Sequence, residues 1–179
     1  VKFSNVYMND LLSFQKNRWE GIVNGFLNIR QSPAGFLGNS NLHLSDLALN
    51  DVPLGEAALK LQSNKGNQDY QLGLQISDDG KDVLLAKGTI GIENAVPTWE
   101  VDVAFSDYNL SLIAGLASDV FSPFSGKANG NVHLSSKAGN IIPEGYFVVD
   151  DLKLGVPYLN TLYHFSDAVP FRFSEDLIS

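Results

Sequence analysis

Apolar and polar residues alternate with period two through nearly the whole chain, and this leaves little choice of fold class. Period two places successive side chains on opposite faces of a strand, so alternation means one buried face and one wet face. In "VNGFLNI", Val23, Leu27 and Ile29 oppose Asn24 and Asn28. In "YQLGLQIS", Leu72, Leu74 and Ile76 oppose Gln71 and Gln75, and in "WEVDVAF", Val101, Val103 and Phe105 oppose Glu100 and Asp102. The segment "LLAKGTIGIE" carries Leu84, Ala86, Gly88, Ile90 and Ile92 along one line. The punctuation is that of hairpins: "SDDGKD" (Ser77 to Asp82) places Asp-Gly in a short loop, the usual residues where φ turns positive. The crossover helices that a parallel sheet requires are missing, so an antiparallel meander is expected.

Two segments depart from this pattern. "NLSLIAGLASDVF" spaces Leu112, Ile113, Leu116, Ala117 and Val120 by three and four, which predicts a short amphipathic helix with Asp107 or Asn109 as N-cap. "NDLLSFQK" (Asn9 to Lys16) is a weaker helical segment near the start. Both belong to a larger echo. "GIVNGFLNI" follows the first helix and "GKANGNVHL" the second, and a "DLxL" strand lies downstream of each, at Asp46 and at Asp151. The registers agree, since 130 − 25 and 151 − 46 both equal 105. Leu42 and Leu44 fall against Phe147 and Val149 at the same offset, and Val52-Pro53 echoes Val156-Pro157 with a slip of one residue. The chain therefore reads as one strand-rich unit over 1–179 with two echoing modules, about 9–58 and 109–167, of the kind that stack along an axis.

Composition excludes several function classes. Twenty acidic and twelve basic residues give a net charge of −8, which suits neither nucleic-acid phosphates nor an anionic membrane surface. Cysteine is absent, so disulfides and thiolate metal sites are excluded. No apolar run approaches the about 20 residues that span a bilayer as a helix. The first residue is Val1, and "FRFSEDLIS" closes the chain as an alternating strand, so a piece of a longer protein is expected.

Little in the sequence is equipped for chemistry. His43, His133 and His164 have no neighbours at metal-ligand spacing, and His43 and His133 fall on polar strand faces. "DDGKD" lacks the remaining ligands of a calcium loop. Asp150-Asp151 and Glu175-Asp176 are sequence neighbours, and neighbours on a regular strand point to opposite faces, so neither pair makes a facing acid pair by itself. Neither a nucleophile elbow nor a phosphate- or dinucleotide-binding loop is present. The chain is expected to be neither an enzyme nor the holder of a metal or other cofactor. What remains is the aliphatic face itself. In a closed barrel or sandwich it is the core, and in an open curved sheet it lines a groove suited to acyl chains; alternation allows both.

The last third carries a phrase, "IPEGYFVVDDLKLGVPYLNTLYHFSD" from Ile142 to Asp167. It resembles the repeats of TamB-type translocation and assembly module proteins, the AsmA-like/TamB superfamily of bacterial inter-membrane lipid-transport proteins, in their Bacteroidetes-like version. The family pattern of Pro-x-Gly, an alternating strand, Asp-Leu-x-Leu and Val-Pro-x-Leu-Asn-Thr-x-Tyr falls here on Pro143, Gly145, Asp151, Leu152, Leu154, Val156, Pro157, Leu159, Asn160, Thr161 and Tyr163. The likeness is good from about Tyr108 to Asp167 and looser before. It implies a mostly β fold, an elongated antiparallel curved sheet (a U-shaped β-taco with an open apolar concave face) bearing one or two short helices. It also implies a periplasmic, cell-envelope segment of a bridge-like protein that carries phospholipid between inner and outer membrane and serves outer-membrane biogenesis, protein assembly and secretion. An N-terminal inner-membrane helix and the contacts to a BamA-like barrel partner would lie outside these residues.

Under that resemblance the expected lining for phospholipid acyl chains is Val23, Leu27, Ile29, Leu42, Leu44, Leu72, Leu74, Ile76, Ile90, Ile92, Val101, Val103, Phe105, Val132, Leu134, Phe147, Val149, Leu152 and Leu154. Leu152 and Leu154 have the opposite parity to Val149, so a bulge or turn at Asp150-Asp151 is required to bring them to the same face. Gly155-Val156-Pro157 marks a bend or an edge, since Pro removes a ladder donor. Two other functions fit the same text. One is a scaffold or chaperone that assembles outer-membrane β-barrel or autotransporter proteins by strand-edge pairing. The other is an extracellular carbohydrate-binding or adhesive β-domain, with Trp19, Tyr158 and Tyr163 exposed on a flat surface.

Overall fold

Alternating segments joined by tight turns pair most readily with their sequence neighbours, and the strand order follows that rule almost throughout. The structure is a computed structural model that describes residues 1–12, 18–32, 35–63, 69–93, 96–116, 122–137, 140–174 and 177–178. The elements are β1 (Lys2–Tyr7), α1 (Met8–Leu12), β2 (Trp19–Ser32), β3 (Gly35–Leu49), β4 (Val52–Ser63), β5 (Tyr70–Asp78), β6 (Lys81–Glu93) and β7 (Val96–Asn109). After a 3-10 segment (Leu110–Leu116) come β8 (Phe124–Lys137), β9 (Asn140–Val156), a 3-10 turn (Pro157–Leu159), β10 (Thr161–Phe165), β11 (Val169–Ser174) and β12 (Leu177–Ile178). All twelve strands belong to one antiparallel sheet, ordered β1 to β9 and then β11 and β12, with β10 also on β9. The sheet is open, with β1 at one end and β12 at the other.

A single open layer cannot hide as much surface as two packed layers. The chain exposes 11811 Å², against about 8,500 Å² for a compact monomer of 19.5 kDa. Among the described residues the buried side chains gather mainly in two clusters, with Val23, Ser40, Ala86 and Val132 buried outside them. One comprises Tyr108, Leu110, Ala128, Val149 and Leu152, and the other Leu47, Leu49, Leu54 and Ala57. Leu112, on the 3-10 segment that leaves β7, packs against both, and that segment reaches β4, three strands away in the sheet. The predicted amphipathic helix is thus a 3-10 segment in its described part. Asn109 Oδ1 caps it by accepting from the Ser111 amide at 3.1 Å and from the Ser111 hydroxyl at 2.7 Å. Ala117 and Val120 lie outside the described residues. At the start of the chain α1 ends at Leu12, and the rest of the expected helix, 13–16, is likewise outside them.

The echo in the sequence has a structural counterpart. Register passes from Ile22↔Ser45 to Glu20↔Ala48, so Gly21 faces both Asp46 and Leu47. It passes from Lys127↔Asp150 to Ser125↔Lys153, so Gly126 faces both Asp151 and Leu152. Asp46 (φ 52) and Asp151 (φ 49) are both left-handed, the conformation Asp tolerates better than most side chains. These are β-bulges, and each brings a second leucine, Leu47 or Leu152, to the buried side. The Asn of each "NG" holds another bulge on the strand before. Asn24 Oδ1 accepts the Asn5 amide at 2.9 Å, and Asn129 Oδ1 accepts the Asp107 amide at 2.8 Å. Asn5 (φ 53) and Asp107 (φ 50) match in conformation as well.

The Val-Pro echo does not extend to structure. Val52 and Pro53 open β4 after the Asn50-Asp51 turn, whereas Val156 ends β9 and Pro157 begins a 3-10 turn. Pro157 supplies the fixed φ of a first helical position there, and the following hairpin is longer than its counterpart. As a result β10 and β11 together occupy along β9 the place that β4 alone occupies along β3. The Asp79-Gly80 hairpin forms as expected, with both central residues at positive φ, the type I′ combination.

Candidate functional site: one apolar sheet face

Cross-strand partners share a face, so the strand pairing carries apolar rows across the sheet. One row runs Val23, Leu44, Ala57, Ile76, Leu84, Phe105, Gly130, Phe147 and Phe171. The next runs Gly25, Leu42, Leu59, Leu74, Ala86, Val103, Val132, Gly145 and Phe173. A third runs Leu27, Ser40, Leu61, Leu72, Gly88, Val101, Leu134 and Pro143. Beyond it lie Ile29, paired with Gly38, and the line Tyr70, Ile90 and Trp99. Ile92 pairs with Pro97 through the backbone, and its side chain is outside the described ones.

The residues expected to line a groove therefore lie in a few adjacent rows of one face, except Ile92, of whose side chain nothing is described, and Leu152 and Leu154. Those two rejoin the face through the Asp151–Leu152 bulge. Leu152 is 2% exposed beside Val149 at 0%, and Leu154 is half-buried between Phe124 and Tyr163. Burial falls along the strands. Val23, Val132, Val149 and Leu152 are buried, the middle of the face is half-buried, and Ile29 is 66% exposed. A half-exposed aliphatic row of this length is costly in water, since full burial of one such side chain is worth about 1.5–3 kcal/mol.

Several members of the face are hidden in the sequence pattern. Ala57, Leu59 and Leu61 alternate with Ala58, Lys60 and Gln62 on β4, but the Ala-Ala pair blurs the pattern. Phe171 and Phe173 alternate in "PFRFS", and their rings stack with Phe147 at 5.0 and 5.7 Å between centroids. Phe147 also meets Phe105 at 6.1 Å, across Gly130 between them. A β-carbon there would meet the Tyr146 carbonyl oxygen at 2.5 Å, so the aromatic ring covers a position that must stay glycine.

The opposite face is polar. Lys60, Gly73, Lys87, Asp102, His133 and Glu144 succeed one another across six strands, largely with alternating charge. The His133 imidazole contacts Asp102 Oδ1 at 2.8 Å, and His164 Nε2 contacts Asp151 Oδ1 at 2.6 Å. His43 Nε2 lies 4.0 Å from Glu56. Each histidine has a carboxylate neighbour, yet among the described residues no cluster of three or more His, Asp or Glu is arranged to hold a metal. Asp150 follows the outward alternation and Asp151 occupies the bulge, while Glu175-Asp176 lie outside the described residues. Trp19 packs against the buried cluster around Leu47 and Leu54, Tyr163 sits on the apolar face opposite Leu154, and Tyr158 is the middle residue of the Pro157–Leu159 turn.

The hydrogen bond to Asp102 holds His133 above its ordinary 6.5; desolvation opposes it, and the charges of Asp102, Glu100 and Glu144 add to the rise. Because the folded value is raised, the pair's contribution is complete below about 6.5 and fades as pH rises through the folded value. An NMR titration is expected to place His133 above 6.5, and Asp102→Asn to move it down. An unchanged midpoint in that variant would remove the pairing. Asp151 is shifted the other way, below 3.8, chiefly by His164 and then by Lys153. Its contribution is present above about 3.8 and is lost as pH falls through the lower folded value.

Among the described residues no helix is long and apolar enough to cross a membrane. Comparison with family models, with curated proteins and with solved structures finds no match.

Proposed function

We propose that the chain is a cell-envelope segment of a bridge-like lipid-transfer protein, in which the apolar face carries phospholipid acyl chains. The observation that supports this most is a largely aliphatic face, half-buried on an open sheet that, among the described residues, is covered only in part, by the Leu110–Leu116 segment and α1. Acyl chains would cover that face with about 0.8 kcal/mol per buried methylene and need no directional contacts. The resemblance of Ile142 to Asp167 to TamB-type repeats points the same way, with a place in the periplasm and a role in outer-membrane biogenesis.

A photoreactive residue at Leu74, half-buried in the middle of the face, tests this directly. With phosphatidylethanolamine vesicles it is expected to form adducts of phospholipid mass, mapped to the acyl carbons. Leu74→Asp is expected to stop lipid transfer between vesicles while the thermal transition persists. No lipid adduct at Leu74, together with undiminished transfer by the variant, would refute the reading.

One observation favours strand-edge assembly as a second reading. Among the described residues β10 pairs only with β9, and Leu162 and Phe165 stand 63% and 43% exposed on it. An unprotected edge of this kind accepts an extended partner strand. Adducts to a client peptide along Thr161–Phe165, with none to lipid at Leu74, would select it.

A further inference from the structure

The hairpin formed by the end of β9, the Pro157–Leu159 turn and β10 has a use that the groove does not account for. Its ten residues from Leu154 to Tyr163 contain no charged side chain, in a chain of net charge −8, and are bounded by Lys153 and His164. At the tip Tyr158 is 95% exposed, with Leu159 at 56% and Leu162 at 63%. The equivalent connection in the first module is the two-residue Asn50-Asp51 turn, which projects nothing comparable. The arm is firmly based. The Ser122 amide donates to the Gly155 carbonyl at 2.9 Å, the Gly155 amide donates to the Pro123 carbonyl at 2.7 Å, and His164 is bonded to Asp151. Leu154 and Tyr163 continue the apolar face outward from the buried Leu152.

From this neutral, aromatic-tipped and rigidly based hairpin we infer that the arm docks on a lipid bilayer of neutral headgroups, with Tyr158 and Leu159 in the interfacial layer. Tyrosine, with an apolar ring and a polar hydroxyl, concentrates where hydrocarbon meets water. The absence of charge on the arm removes the desolvation cost of entering the headgroup region. The acidity of the rest of the chain disfavours an anionic surface, so phosphatidylcholine-like or phosphatidylethanolamine-like headgroups are the fitting partner. This goes beyond the groove reading and does not depend on it, since Tyr158 and Leu159, which meet the bilayer, lie outside the expected acyl-chain lining.

The test uses the full chain and vesicles of pure phosphatidylcholine. Tyr158→Trp is expected to give a blue-shifted emission component on vesicle addition that the native Trp19 and Trp99 do not show. A doubled substitution, Tyr158→Asp with Leu159→Asp, is expected to lower vesicle partitioning about a hundredfold, from the loss of two buried side chains. Its thermal transition stays in place, since both residues are exposed. Adding phosphatidylglycerol to the vesicles is expected to weaken binding by the wild-type chain. Absence of a shift, or equal partitioning of wild type and the doubled variant, overturns the proposal. So does a concentration-dependent dimer, abolished by the doubled substitution, that leaves vesicle binding nil. Loss of bilayer binding with lipid adducts still forming at Leu74 would separate this arm from the groove.

Discussion

Val149→Asp is expected to abolish cooperative folding. Val149 is 0% exposed and sits among Ala128 (1%), Leu152 (2%) and Tyr108 (2%), with Phe105, Phe147 and Phe171 packed around them. Burial already pushes the Tyr108 hydroxyl above its ordinary 10.0, a sign of how dry the site is. A carboxylate placed there has no cation within this cluster and costs several kcal/mol even if it protonates. A domain has only about 5–15 kcal/mol to lose. Circular dichroism is expected to show no thermal transition for this variant, whereas Val149→Ala should retain one, about 2 kcal/mol weaker. A charged variant that melts within a few degrees of wild type would show that the cluster is not a core.

Gly130→Ala is expected to be strongly destabilising for so small a change. Gly130 has φ +143, and a β-carbon there would lie 2.5 Å from the Tyr146 carbonyl oxygen and 2.6 Å from the Phe147 Cα. Those atoms belong to the paired backbone of β9, so relief requires the ladder to open rather than a side chain to turn. Gly80→Ala provides the control. Its φ is +74 and nothing lies within 4 Å, so only the conformational cost of about 1 kcal/mol applies. Gly130→Ala should lose more than about 3 kcal/mol in chemical denaturation. Equal losses in the two variants would show that close approach of β8 and β9 is not what requires glycine.

The alternation disclosed the fold class and most of the apolar face because a strand has only two sides and each residue must choose one. Val149 and Leu152, three apart, break that parity, and the double aspartate between them was the visible sign of the bulge. Three features were not legible. Whether the face is covered depends on contacts between distant strands, on which local periodicity is silent. The 3-10 form of Leu110–Leu116 was not legible because an amphipathic spacing allows either helix, nor was its contact with β4. Phe171 and Phe173 carried an alternating pattern, but their contribution comes from stacking on Phe147, a partner more than twenty residues away. The Val-Pro echo misled for a related reason: proline opens a strand at Pro53 and a turn at Pro157, and the dipeptide is the same in both.

The matched bulges have a consequence for size. Strand β7 stands to β8 and β9 as β1 stands to β2 and β3, with the same glycines, the same left-handed Asp and the same Asn clasp. At about 4.8 Å per strand, the six steps from β1 to β7 advance the sheet by about 29 Å. Since β10 and β11 dock on β9 as β4 docks on β3, duplication or loss of one such period would join edges that already match. Reach is then a quantity that copy number can tune, while the cross-section stays constant.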